Sequence, residues 1–154
     1  MPLQRPRSTR PHQTGMMLIE ALVAILIFSI GILGVLGLQA SASQQSADAR
    51  HRAVAAQYAD QLLGQMWVDT RTESSLRTLY ATCSTATCPA YTTWATAVAQ
   101  GLPGVDLLGT TKPDVSVSSD GTGVIGITVR WQTPADAAAG TAFHQFNMEA
   151  QIGQ

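Results

Sequence analysis

The sequence predicts an α+β protein in which one long N-terminal helix packs on a small antiparallel β-sheet. Three observations predict this fold. An apolar run covers residues 16–38, a helical pattern follows it without a proline until Pro89, and the C-terminal third changes to the two-residue period of β-strands. With 154 residues, the chain is long enough for one modest globular domain once the apolar run is set aside.

The apolar run is the most informative segment of the chain. It is interrupted only by Glu20, Ser29 and three glycines, and a helix of this length can cross a bilayer at about 1.5 Å per residue. An ionised side chain within such a helix costs roughly 2.5–3.5 kcal/mol on insertion scales. Glu20 is therefore predicted to be a functional residue with a positively charged partner.

Residues 1–15 are predicted to be a cleaved cationic leader. They contain three arginines, three prolines and no acidic residue. Such a flank stays in the cytoplasm under the positive-inside rule, so the chain after Leu38 is exported. Cleavage between Gly15 and Met16 would leave a new α-amino group on the apolar helix, one turn away from Glu20.

The N-terminus allows two other interpretations. Ala40-Ser41-Ala42 is a small-x-small site of the kind that signal peptidase uses, which allows an ordinary secretory signal peptide. The apolar region of a signal peptide is about 7–15 residues long, shorter than this run, and it has no need of Glu20. A plain uncleaved anchor is the second alternative, since residues 16–38 are long enough to span a membrane.

Residues 15–39 read Gly-Met-Met-Leu-Ile-Glu-Ala-Leu-Val-Ala-Ile-Leu-Ile-Phe-Ser-Ile-Gly-Ile-Leu-Gly-Val-Leu-Gly-Leu-Gln. This segment, about a sixth of the chain, resembles the N-terminus of the type IV pilins, and most closely that of minor pilins of the PilV type. One departure concerns the start of the mature chain. The family usually has phenylalanine followed by threonine or serine there, whereas this chain has Met16 and Met17.

The resemblance implies a role for each matching position. Gly15 would be the last residue before the cut by the dedicated prepilin peptidase, and Met16 would become the N-methylated first residue. Glu20 would meet the amine of Met16 on a neighbouring subunit in the filament core, or on its own helix. An unpaired buried charge is costly, so this pair would set the register between subunits during assembly.

The implied function is that of a minor pilin, a membrane-anchored subunit that helps to initiate assembly of the type IV pilus and is incorporated in it. The implied partners are other minor pilins, the major pilin, the prepilin peptidase and the inner-membrane assembly platform. The protein would cross the inner membrane once, with residues 39–154 as a periplasmic domain, and would later reach the pilus at the cell surface. Two alternatives stay open: a minor pseudopilin of a type II secretion system, and a pilus-tip binding module.

Three glycines lie along one side of the apolar helix. Gly31, Gly34 and Gly37 recur every three residues, and each costs roughly 0.5–1 kcal/mol of helix stability relative to alanine. They are predicted to form a helix-packing face, because small residues let membrane helices approach closely. A locally meltable segment and the generally raised glycine content of membrane helices are the alternatives.

The helix is predicted to extend to Val68, because apolar residues recur every four positions in its second half. The predicted stripe that faces the sheet consists of Val54, Tyr58, Leu62 and Met66, with Ala55, Ala59, Leu63 and Trp67 beside it.

The remaining chain is predicted to form a loop, a short helix and a β-meander. The threonine-rich stretch beyond Thr70 is predicted to be a loop, and residues 94–100 a helix. Strands are predicted around residues 115–117, 124–131 and 143–152, with a turn at Asp120-Gly121 and a loop over 134–140. Such a meander can pack one face on the helix and leave the other in solvent.

The sequence holds two cysteines, Cys83 and Cys88. In an exported chain they are most simply predicted to form a disulfide, which closes a very short loop and contributes about 2 kcal/mol on the chain-entropy model. Their spacing differs from that of a redox pair, and a zinc site would need two further ligands from His51 and His144.

Charge and motif content argue against several classes of function. Without the leader the chain carries six basic and ten acidic residues, a net charge of about −4, and no strongly basic patch for nucleic acid is evident. No metal-binding histidine pair, phosphate-binding glycine loop or activated nucleophile can be recognised. The sequence therefore predicts no enzyme, cofactor or metal.

Overall fold

The computed structural model describes residues 14–69, 72–83, 88–141 and 143–152. All but the last two residues of the predicted leader lie outside this part of the chain. The chain divides into two compact units, Met1–Gln45 and Ser46–Gln154. The fold is α+β, as predicted: a long N-terminal helix and a small three-stranded antiparallel sheet, with shorter helices between and beside the strands.

Helix α1 spans Thr14–Val68. No proline occurs within it, and alanine, leucine and glutamine, which favour the helix, make up much of its length. The predicted helix over residues 16–68 is confirmed, and the structure adds Thr14 and Gly15 at its start. In the first unit α1 is the only element that the structure describes.

In the second unit, the buried face of α1 consists of Ala55, Ala59, Leu62 and Met66, all fully buried. Leu62 and Met66 agree with the predicted stripe, but Val54 and Tyr58 are only partly buried because the helix is rotated toward its two alanines. The small alanine side chains let the helix approach its neighbours. Trp67, predicted beside the stripe, is 41% exposed.

Helix α2, Glu73–Tyr80, occupies part of the stretch that was predicted to be a loop, so this prediction was wrong. The threonine-rich stretch contains a short amphipathic pattern that is difficult to recognise in the sequence. Leu76 and Tyr80, four residues apart on α2, are both buried. Glu73 and Arg77 add an ion pair at the same spacing, with 2.9 Å between Arg77 Nη2 and Glu73 Oε1. The helix is therefore stabilised on both its buried and its exposed side.

Helix α3 spans Pro89–Gly101 and begins five residues before the predicted helix over residues 94–100. Proline is favourable at the first helical position, since its missing N–H would have no helical partner there. The predicted end at Gly101 is confirmed, and a side chain at this position would require Tyr58 to move. A Cβ on Gly101 would lie 2.2 Å from the hydroxyl oxygen of Tyr58, which packs α1 against α3.

The sheet contains β1 (Asp114–Val117), β2 (Val124–Trp131) and β3 (His144–Gln151), paired antiparallel in the order β1-β2-β3. The predicted meander is confirmed. Gly123, with φ of 65°, begins the return to β2, and a Cβ there would lie 2.4 Å from the carbonyl oxygen of Ile152. Alternate residues of β2 are buried and share one core with α1, α2 and α3: Ile125, Ile127, Val129 and Trp131.

A fourth helix, α4 (Pro134–Ala139), replaces the loop predicted over residues 134–140, so this prediction was also wrong. The signal was a capping box: the Thr133 hydroxyl accepts from the Asp136 amide, and the Asp136 carboxylate accepts from the Thr133 amide. The hydrogen bond from the Thr133 hydroxyl is the main reason why the pKa of Asp136 is lowered. None of the residues of α4 is buried, and Asp136 connects the helix to β3, with 3.0 Å between Asp136 Oδ2 and His144 Nε2.

Candidate functional site

The first candidate site is the apolar half of α1. Its large apolar side chains are exposed from Met16 onward. The most apolar stretch of 18 residues has a mean hydropathy of 2.8, and none of these residues is buried within the chain. By length and composition, α1 is the one helix among the described residues that could span a membrane. Leaving a large apolar side chain exposed to water costs about 1.5–3 kcal/mol. This segment therefore requires a cover that the described part of the chain does not supply.

Glu20 stands on this apolar surface. It is exposed, and no other charged residue occurs between Met16 and Asp48. The second polar group of the segment, the Ser29 hydroxyl, donates to the carbonyl oxygen of Ile25 at 2.7 Å and is thus satisfied within the helix. Glu20 has no such internal partner among the described residues. In an apolar environment, its carboxylate would therefore have no countercharge and no hydrogen-bond donor from the described residues.

Gly31, Gly34 and Gly37 present open space on α1, since a Cβ added at any of them would meet no atom within 4 Å. Phe28, Ile32 and Leu36 lie around Gly31 and line a shallow apolar groove on the helix. Nothing within the described chain packs against these glycines. A helix-packing role stays a prediction, and it would have to involve another molecule.

The second candidate site surrounds the two cysteines. Cys88 is buried directly before α3, and its carbonyl oxygen accepts from both the amide and the hydroxyl of Thr92. Cys83 is partly buried, and its carbonyl oxygen accepts from Lys112 Nζ at 3.3 Å. Residues 84–87 lie outside the described part of the chain. The Cys83–Cys88 disulfide therefore stays a prediction.

Polar contacts connect the surroundings of this segment to the core. Tyr91 on α3 donates from its hydroxyl to the carbonyl oxygen of Pro113 at 2.7 Å. Burial, and then the negative charge of Asp114, raise the pKa of Tyr91 to about 12, so the hydroxyl keeps its proton in the physiological range. Lys112 lies over the Tyr91 ring, with 5.8 Å between Nζ and the ring centroid. Both ends of the cysteine segment are thus attached to the core.

We expect reduction of a Cys83–Cys88 bond to lower the free energy of unfolding by about 2 kcal/mol, because the unfolded chain regains the freedom of the short loop. Thermal unfolding with and without a reductant measures this difference. The double variant Cys83→Ser/Cys88→Ser is the control, since the reductant should not change its unfolding. Two thiols that react quantitatively before any reductant is added would contradict the prediction.

The described residues contain no group of three or more histidine, cysteine, aspartate or glutamate side chains that could hold a metal ion. The predicted special residues fall into two separate places: Gly15, Met16, Glu20 and the three glycines on the first unit, and the cysteines on the second. No family model, curated protein or solved structure matches the chain.

Proposed function

We propose that the chain is a minor pilin, a processed membrane-anchored subunit that helps to initiate assembly of a type IV pilus and is incorporated in it. The observation that carries the proposal is the continuity of α1. An exposed apolar helix with a single carboxylate near its start continues without a break into a half that forms the core of a small α+β domain. A pilin subunit needs both halves, one for the membrane and the filament core and one for the globular domain.

The start of α1 suits a peptidase that cuts after Gly15. Gly15 lies directly before the apolar run, and a residue without a Cβ lets an extended backbone lie close to the enzyme. Ala40-Ser41-Ala42, the alternative site for signal peptidase, lies in the middle of α1, where helical hydrogen bonds would have to be broken on both sides. This position makes Ala40-Ser41-Ala42 the poorer site.

The Met16 amine would then become the partner of Glu20. In a bilayer, the pair within one helix is close enough to interact, since the residues are four positions apart. In a filament, the bare apolar surfaces of several α1 helices would cover one another, and the same carboxylate would meet the amine of a neighbour. Opposite charges attract strongly in such a low-dielectric core, which favours one axial register.

Membrane fractions of cells that contain prepilin peptidase are expected to hold a form that begins at Met16 and carries an N-methyl group. Intact mass spectrometry measures both changes at once. Gly15→Val is the control, because its branched side chain should block the close approach of the backbone to the peptidase and preserve residues 1–15. A mature form that begins at Ser43, or wild-type protein that is never cleaved, would contradict the proposal.

A minor pseudopilin of a type II secretion system would be processed in the same way. Purification from native membranes separates the two functions, since the proposed minor pilin should copurify with pilus subunits. Recovery with secretion pseudopilins alone would assign the chain to the secretion system.

A further inference from the structure

The two edge strands of the sheet, β1 and β3, differ in the hydrogen bonds of their outer backbone groups. At the outer edge of β1, Thr82 binds the backbone of Val115: its amide donates to the carbonyl oxygen of Val115 at 2.9 Å, and its hydroxyl accepts from the Val115 amide at 2.5 Å. No described residue does the same for β3, which contacts β2 along its whole length and forms the other edge. The outer edge of β3 is therefore open among the described residues.

The register identifies the open groups on β3. The Ile152 amide donates to the carbonyl oxygen of Gly123 at 3.0 Å, and hydrogen-bonded pairs alternate along an antiparallel ladder. The even-numbered residues of β3 therefore bind β2. The odd-numbered residues direct their amides and carbonyls outward: Gln145, Asn147, Glu149 and Gln151.

Apart from the charge of Glu149, this edge lacks the features that usually protect a sheet edge. β3 pairs with β2 over eight consecutive positions without a bulge, and it contains neither proline nor lysine. Both ends of the strand are fixed. The His144 ring stacks on Trp131 with 5.7 Å between ring centroids, and Gln151 Nε2 donates to the carbonyl oxygen of Thr122 at 2.8 Å. The open edge is thus held in a conformation ready for pairing.

The side chains of β3 also lack part of their cover. Phe146 and Met148 point to the core side of the sheet, yet they are only partly buried, whereas their partners on β2, Val129 and Ile127, are fully buried. On the opposite face, Glu149 is exposed and faces Gly126, which offers no side chain. Glu149 makes no ion pair with any described residue.

We propose that the open edge of β3 binds an extended segment of a different polypeptide, which adds to the sheet as a fourth strand. The four outward residues would supply its backbone hydrogen bonds. Apolar side chains at alternate positions of the segment would cover Phe146 and Met148, and a basic side chain directly opposite Glu149 would provide the missing countercharge.

A second copy of this chain is a poorer occupant. In a two-fold antiparallel pair, all four outward residues find partners only when Met148 faces Met148 of the second copy. In that pair Glu149 lies opposite Asn147 of the second copy, and β3 contains no lysine or arginine. A second copy therefore offers no basic side chain to Glu149 in this register.

Purified full-length protein in detergent, mixed with a defined peptide, tests the inference. The probe is a short peptide of alternating valine and threonine with one central arginine, N-methylated along one edge so that it cannot stack on itself. Residue-resolved amide exchange should slow at Gln145, Asn147, Glu149 and Gln151 when the peptide binds. The even-numbered amides, already paired with β2, should change little. Unchanged exchange at the odd-numbered positions would overturn the proposal.

Asn147→Pro and Asn147→Thr form a matched pair of variants. The Asn147 amide points away from β2, so proline removes an open donor and no bond of the existing sheet. We expect Asn147→Pro to weaken peptide binding at least about tenfold and Asn147→Thr to retain it. Glu149→Lys should reverse the preference between the arginine peptide and its glutamate counterpart. Equal peptide binding by Asn147→Pro and Asn147→Thr would contradict strand addition at this edge. An unchanged peptide preference with Glu149→Lys would contradict a basic partner residue opposite Glu149.

Sedimentation of the protein without peptide tests the second copy. A concentration-dependent dimer that Asn147→Pro abolishes would assign the edge to another copy of this chain and overturn the proposal of a different polypeptide. These measurements need neither leader cleavage nor a filament, so their failure would leave the proposed function standing.

Discussion

Glu20→Ala is expected to be cleaved and to accumulate in the inner membrane while its incorporation into pili falls sharply. The substitution makes the apolar half of α1 more apolar, so membrane insertion is kept or improved. In the filament, however, the Met16 amine would remain buried without its countercharge. Breaking a buried pair by removal of one partner typically costs roughly 3–5 kcal/mol. Quantitative mass spectrometry of sheared pili, relative to the membrane fraction, measures the loss.

Two variants control for effects other than charge in the apolar segment. Glu20→Gln keeps hydrogen bonding without the charge, so its incorporation should be intermediate. Asp48→Asn removes an exposed carboxylate from the same helix, beyond the apolar run, and should be incorporated normally. If Glu20→Ala and Glu20→Gln both entered pili at the wild-type level, the charge pair would not set the register.

Leu62→Ala is expected to destabilise the globular unit by about 2–5 kcal/mol. Leu62 is fully buried between α1 and the rest of the core, and its truncation loses apolar burial and leaves a cavity in close-packed surroundings. The loss is a large fraction of the stability of an ordinary domain, which is about 5–15 kcal/mol. Guanidinium unfolding followed by tryptophan fluorescence measures the change.

Leu63→Ala is the matched control, because the same side chain is removed one position along the same helix. Leu63 is only partly buried at the margin of the core, so its truncation should cost clearly less than that of Leu62. Equal losses at the two positions would mean that the helix is rotated differently from the structure.

The sequence predicted those elements of the fold whose hydrophobic pattern is long or strongly alternating. Apolar residues at every second position identified β2 as far as Trp131, and the apolar run identified α1. The helices α2 and α4 were missed because each is short and is flanked by residues typical of loops. Their local signals were the Glu73–Arg77 pair and the Thr133–Asp136 capping box, which are visible in the sequence but weak next to the surrounding threonine, proline and glycine.

The rotation of α1 was harder to predict, because apolar residues occur on adjacent positions throughout residues 54–67. Tyr58 fits the pattern as well as Ala59 does, but Ala59 is fully buried, whereas Tyr58 is partly buried and packs against Gly101. The open edge of β3 depends on tertiary contacts in the same way. Nothing in the sequence around Thr82 indicates that it binds Val115 at the outer edge of β1, or that no described residue does the same at β3.

The position of Glu20 could be predicted from sequence, since one carboxylate in an apolar run is visible without a structure. The structure adds that no described group of the same chain compensates for it, and that the surrounding side chains are all exposed. Under the proposed function, the partner of Glu20 would be the Met16 amine that cleavage creates, on the same helix or on a neighbouring subunit.

The composition of sheared pili tests the central claim most directly. Pili from cells that produce the chain at its native level should contain it in small amounts relative to the major subunit, with an N-terminal peptide that begins at methylated Met16. Its removal should lower the number of pili on the cell surface. Pili that contain none of the chain, from cells whose membranes hold the processed form, would contradict the account.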